Sequence, residues 1–309
     1  YTKDISSEKL KETIFSAGTT PEIRKSKLRR LIFSKKIVRI LESHSPLSGL
    51  IIEKLNISKS KTFDEFDGMW SSSLTDSVLR GKPDNQSVEY STRINWINEI
   101  FDVTTKPLIF DADNGGRVEH IKYIVSSLER IGASAIIIED KIGLKKNSLF
   151  KNQKGVEQDS IKNFSNKIKV AKRSTISEDF LIIARIESFI LGKSLKDALK
   201  RAEAYSKAGA DAILIHSKEK SPKQIFDFAK KFNKSANYKP LVCVPSTYSQ
   251  VYEKELIRHG FKIVIYANQL MRSSYPSMVD TAKNILNFKR SFPIEKKISS
   301  AKEMIELIK

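Results

Sequence analysis

A (β/α)8 barrel of the TIM type is the fold this sequence predicts, on three observations. Eight short runs of β-branched and aliphatic residues recur between residues 37 and 268, and amphipathic stretches separate them. The runs are near-continuous Val, Ile and Leu without alternation, as in strands buried on both faces of a parallel sheet. Helix, glycine, strand recurs at Gly132, Gly209 and Gly260, where glycine suits a helix C-cap before the next strand. Eight such units in about 250 residues match the size of a closed barrel. A doubly wound sheet fits less well, because the strand count is high and no G-x-G-x-x-G turn is present.

In chain order, the predicted strands cover residues 37–42, 66–71, 107–111, 135–139, 180–185, 212–216, 240–245 and 262–268. Residues 120–130 carry Ile121, Ile124, Val125 and Leu128 at helical spacing, and residues 195–208 carry Leu195, Ala198, Leu199, Ala202 and Tyr205. Before the first strand, residues 24–39 hold eight Lys and Arg with no acid between them, interleaved with Ile23, Leu28, Leu31, Ile32 and Phe33. That pattern predicts an amphipathic helix with a solvated basic face. Residues 1–26 read as an N-terminal extension, and residues 27–309 as one barrel domain with C-terminal helices, the last over 300–308. Residue 1 is Tyr, so a longer natural chain is expected.

Composition narrows the class. The 309 residues carry 55 Lys and Arg against 36 Asp and Glu, and 40% are hydrophobic, including 16 Phe. That is enough for a large core, and it excludes intrinsic disorder. A single cysteine, Cys243, excludes an intrachain disulfide and a cysteine-based zinc site. No apolar run is long enough to span a bilayer and the first 25 residues lack a signal-peptide core, so a cytoplasmic protein is expected.

In a barrel of this kind the active site gathers at the C-terminal strand ends. The residues closing the runs are Ser71 to Ser73, Asp111 with Asp113, Glu139 with Asp140, Arg185 with Glu187, His216 with Ser217, and Asn268. Carboxylates recurring at neighbouring strand ends form an all-oxygen set suited to Mg2+, although one such pair alone could be a turn or helix cap. Arg185 follows an apolar run and needs a carboxylate such as Glu187 or an anionic ligand. With His216 it points to an anionic, phosphorylated small substrate. The Lys- and Asn-rich stretch at residues 139–151 reads as a lid over that anion or as an exposed loop.

Glu139-Asp140-Lys141, five residues, then Asn147-Ser148 resembles the E-D-K-x5-N-S signature of the phosphoenolpyruvate mutases, in the isocitrate lyase/phosphoenolpyruvate mutase superfamily. The likeness runs from Lys27 to Arg272. Gly68 to Ser73 resembles the substrate-carboxylate loop, Asp111-Ala112-Asp113 the metal loop, and Ala184 to Glu187, Gly209 to Ser217 and Tyr266 to Asn268 fit as well. Ser73 stands where the family usually has glycine, and Asn114 and Gln269 where Thr and His are more usual.

The resemblance implies a Mg2+-dependent isomerase that interconverts phosphoenolpyruvate and phosphonopyruvate, the first step of phosphonate biosynthesis. By the same resemblance Asp111 binds Mg2+ directly and Asp84, Asp113 and Glu139 hold its waters. Trp70, Ser72, Ser73 and Asn268 contact substrate, Arg185 and His216 hold the phosphoryl group, and Lys145, Asn147 and Ser148 arrive with the lid. It further implies a homodimer or homotetramer, exchange of the last barrel helix between subunits, and a partner enzyme that consumes phosphonopyruvate. Phosphonopyruvate hydrolase shares the fold, metal site and substrate. A lyase of the superfamily would carry a cysteine in the lid, and here Cys243 lies in a strand run. A nucleic-acid-binding protein would use residues 24–39 but leaves the strand-end carboxylates without a role, so neither nucleic acid nor membrane is expected as a partner.

Overall fold

The computed structural model describes residues 19–59, 62–143, 145–150 and 152–308. Most of the N-terminal extension, and Leu144 and Lys151 of the expected lid, lie outside the described residues. Eight strands close a parallel barrel: β1 (Val38–Glu42), β4 (Gly68–Ser71), β5 (Leu108–Asp111), β6 (Ala135–Glu139), β9 (Leu181–Ile186), β10 (Ala212–Ile215), β11 (Leu241–Cys243) and β12 (Phe261–Tyr266). Six fall within their predicted runs, while β9 extends one residue past its run, to Ile186, and β12 begins one residue before its run, at Phe261. Closure is made by β1, which pairs in parallel with both β12 and β4, so a doubly wound open sheet is excluded.

Two further hairpins interrupt the alternation. Strands β2 (Asn56–Lys59) and β3 (Thr62–Glu65) pair antiparallel before β4. Strands β7 (Lys141–Gly143) and β8 (Val156–Gln158) pair antiparallel across the base of the 139–158 connection. That stretch is therefore a ribbon-based loop, held at both ends.

Helices run from α1 (Pro21–Ser34) and α2 (Pro46–Lys54) through α3 (Ser73–Val78), α4 (Tyr90–Phe101), α5 (Ile121–Ile131), α6 (Ile161–Arg173), α7 (Leu195–Lys207), α8 (Lys223–Phe232) and α9 (Glu253–Arg258). The chain divides into two compact units, to Asn268 and from Gln269 onward. The second contains α10 (Gln269–Phe288), α11 (Phe292–Glu295) and α12 (Ala301–Leu307), the last begun by a Ser300/Glu303 capping box.

Helix α1 runs unbroken across residues 26 and 27, and it closes the bottom of the barrel. Its Leu28 and Ile32 join the interior cluster of Val38, Ile40, Ala135, Leu181, Ala212 and Ile263. The basic face differs from the solvated stripe that the pattern predicts. Arg24 is 4% exposed and donates to the Phe101 and Thr104 carbonyls; Lys25 pairs with Glu129 at 3.2 Å; Lys27 reaches Thr105; Arg39 reaches Glu253 at 2.7 Å. These cations satisfy orphan carbonyls and carboxylates where the chain enters the strands. The close approach also needs a glycine: a Cβ on Gly132, which has φ +89°, would sit 2.6 Å from Pro21 Cα.

Candidate active site

Side chains alternate along a strand, so the position two beyond the apolar interior layer faces the mouth. Trp70, Ile109, Ile137, Ile183 and Leu214 belong to that layer. Two residues on stand Ser72, Asp111, Glu139, Arg185 and His216. Register adds to this: Glu139 lies beside Arg185 across β6 and β9. Every side chain predicted for the site lines one pocket: Trp70, Ser72, Ser73, Asp84, Asp111, Asp113, Glu139, Lys145, Asn147, Ser148, Arg185, His216 and Asn268. Asp140 faces the other way. It is buried among Arg201, Tyr205 and Gln158 and accepts from the Glu187 backbone at 2.9 Å, so it braces the strand end and the ribbon outside the pocket.

Two clusters make up the pocket. In the first, the Lys145 ammonium lies against Asp84 and 2.5 Å from Asp113 Oδ1, and donates to Ser73 Oγ at 2.7 Å. Ser73 Oγ donates to Asp111 Oδ2 at 2.8 Å, and Asn147 Nδ2 donates to Asp84 Oδ2 at 2.9 Å. In the second, Arg185 Nε donates to Glu187 Oε1 at 2.6 Å, while its Nη2 lies 3.3 Å from Glu139 and 2.9 Å from His216 Nδ1. Ser148 Oγ donates to Glu187 Oε2 at 2.5 Å and accepts from Lys141 at 2.8 Å. The ribbon-based loop thus delivers Lys145 and Asn147 to one cluster and Ser148 to the other.

Burial and charge set the protonation states. Burial pushes Glu139 up to about 7, against the pull of Lys141 and Arg185. Burial also raises Asp113, with Asp111 adding to it, whereas at Asp111 the cations Lys145, Arg185 and Arg93 outweigh burial and hold the carboxyl below its usual range. Glu187 is held well below its ordinary value because Arg185, Lys141 and His216 outweigh its burial. His216 is lowered by burial and by Arg185.

Residues that the sequence reading passed over support this floor. Buried Arg93 of α4 donates to Asp76 Oδ2 at 2.7 Å, to the Asp111 carbonyl at 2.6 Å and to Ser71, and thereby ties the 71–76 segment to the end of β5. The available signal was a lone arginine one residue before the apolar series Ile94, Ile97, Ile100. Asp113 holds φ +49°, an uncommon conformation for a residue with a side chain.

The donor set fits a magnesium ion. All of Asp84, Asp111, Asp113 and Glu139 offer hard oxygens, and a cation, the Lys145 ammonium, already sits among three of these side chains and Ser73. Among the described residues no group of three or more His, Cys, Asp or Glu is arranged to hold a metal ion directly. Mg2+ keeps several waters and takes one or two protein carboxylates, so a site for it does not require three direct protein ligands.

A parallel barrel whose strand-end mouth gathers carboxylates, a guanidinium and an imidazole beneath a folded-over loop belongs to the class of barrel enzymes acting on small anions. The family model described as phosphoenolpyruvate phosphomutase matches residues 28–286, and the chain belongs to that family. A phosphoenolpyruvate phosphomutase of Tetrahymena pyriformis is 35% identical over 91% of this chain and 90% of its own length. Among solved structures, the phosphoenolpyruvate phosphomutase of Streptomyces platensis subsp. rosaceus is 33% identical and superposes with a TM-score of 0.84, covering 92% of this chain and 94% of its own. A phosphonopyruvate hydrolase in complex with oxalate and Mg2+ is 31% identical with a TM-score of 0.81, covering 94% and 95%.

Proposed function

We propose that this chain is a phosphoenolpyruvate mutase, an isomerase that moves a phosphoryl group between the enol oxygen of phosphoenolpyruvate and the methylene carbon of phosphonopyruvate. The observation that carries the reading is the placement of Asn147 and Ser148, delivered by the loop into the same pocket as Asp111, Arg185 and His216. In the direction of phosphonopyruvate formation the bridging P–O bond breaks and a C–P bond forms, within one bound molecule. Such a transfer has a loose, metaphosphate-like transition state, so positioning and charge stabilisation do most of the work.

Ser72 and the backbone at Ser73 take the substrate carboxylate, with Trp70 and Asn268 beside them. Arg185 and His216 hold the phosphoryl oxygens, and Glu187 fixes the guanidinium. Asn147 supplies a neutral donor that steadies the migrating group without attacking it. Asp111 would hold Mg2+, with Asp84, Asp113 and Glu139 holding its waters, and the bound ion would supply neutralisation of the charge that develops on the pyruvyl oxygens. The closed loop keeps out water, which would otherwise capture the group and yield pyruvate and phosphate.

The second unit exposes Tyr275, Met278, Leu286 and Phe288 on α10. An apolar surface of that kind supports a homodimer or homotetramer with exchange of the last barrel helix. Among the described residues no helix is long and apolar enough to cross a membrane. A cytoplasmic setting, with a second enzyme consuming phosphonopyruvate, completes the reading. The test is phosphonopyruvate turnover with Mg2+: phosphoenolpyruvate appears, the reaction stops when EDTA removes the metal, and it resumes when Mg2+ is restored. Turnover unaffected by EDTA would contradict the metal assignment.

A further inference from the structure

We propose that the Ser73 hydroxyl is a latch that holds the 141–158 loop closed over the pocket. A hydroxyl has one proton to give and two lone pairs. Here the proton goes to Asp111 Oδ2 at 2.8 Å and a lone pair takes the Lys145 ammonium at 2.7 Å. Ser73 therefore links a loop cation to a strand-end carboxylate, in a polarised chain whose two bonds are both charge-assisted. The residue is buried and begins α3, whose N-cap Ser72 binds the Thr75 amide; the Ser73 amide itself points at Asp111 Oδ2 at 3.3 Å.

The helix cap is made by Ser72, and the Ser73 amide makes its own bond to Asp111, so neither uses the Ser73 side chain. Glycine at this place would keep the amide and lose both bonds of the hydroxyl. The latch thus rests on the Ser73 hydroxyl alone. Asp84 and Asp113 also engage Lys145, but as charges, whereas Ser73 orients the ammonium with no charge of its own and ties it to Asp111. Ser73 acts as a positioning residue, through Lys145, on how long the pocket stays sealed.

The proposal rests on the mutase reading only for its chemical consequence, so two measurements separate the two. Hydrogen–deuterium exchange of peptides covering residues 145–150 is compared among the wild type, Ser73→Ala and Ser73→Gly, with Mg2+ present. Both variants are expected to exchange roughly tenfold faster there, as for loss of one hydrogen bond to a charged group, with α7 protection and melting temperature unchanged. Exchange equal to wild type in both variants would overturn the latch. With phosphonopyruvate as substrate, the variants should release a larger share of pyruvate and phosphate. In that leak the C–P bond breaks, water oxygen bonds to phosphorus, and a water proton goes to the departing carbon. An unchanged share would overturn the role of Ser73 in excluding water. Faster loop exchange in the variants, with no phosphoenolpyruvate from the wild type, would keep the latch and sink the mutase reading.

Discussion

Asn147 brings a neutral amide to a pocket floor dominated by Lys145, Asp84 and Asp113. If it steadies the migrating phosphoryl group, Asn147→Ala lowers kcat by roughly 10²–10³, the usual cost of losing one preorganised donor, and leaves the circular dichroism spectrum intact. Wild-type kcat in that variant would remove Asn147 from the mechanism. His216 carries a separate prediction. Burial first, then Arg185, lower its pKa, with Glu187 opposing. The unfolded chain therefore takes up this proton at about 6.5, before the folded one does. Its stabilisation is complete above that pH and declines as pH falls from about 7 toward 5. The urea midpoint of the wild type relative to His216→Gln should fall over this window, whereas Glu139, raised to about 7, and Asp140, raised to about 6, act in the opposite sense in both proteins; a difference that does not change with pH would remove His216 from the pH dependence. The residues two beyond each apolar layer were legible in the sequence because strand alternation points them at the mouth. Asp140 was not, since its neighbour Glu139 takes the inward position and leaves it to Arg201 and Tyr205.

Among the elements, the eight barrel strands were legible because each is buried on both faces and must be apolar throughout. The β2–β3 hairpin was not: Asn56-Ile-Ser-Lys is polar, short and exposed over its first three residues, with no periodicity to separate it from a loop. The β7–β8 ribbon escaped for the same reason, and with it the anchoring of the lid at both ends. Helix α1 was legible as a helix, but not as the floor of the barrel, because burial of Arg24 and Lys25 depends on carbonyls and carboxylates far away in sequence. Its apolar face carries a prediction. Leu28 is fully buried among the interior residues, and Leu28→Ala should cost about 2–5 kcal/mol of unfolding free energy in denaturant titration. A loss well below that range would mean that α1 packs loosely against the barrel.

For the whole molecule, the excess of 19 positive charges is a weak guide to partners. The densest basic block is largely engaged at the barrel base, through Arg24, Lys25, Lys27 and Arg39. Binding to a DNA or RNA oligonucleotide should accordingly be negligible at about 0.15 M salt, and a tight complex there would restore the nucleic-acid reading. The function depends instead on a small, enclosed group of charges at the opposite end of the barrel. The central claim is that this pocket transfers phosphoryl within one molecule and keeps water out. It is tested most directly by a 31P NMR time course of phosphonopyruvate with the protein and Mg2+. Conversion of the phosphonate resonance into that of phosphoenolpyruvate is the predicted result, and inorganic phosphate as the sole phosphorus product would contradict it in favour of hydrolysis.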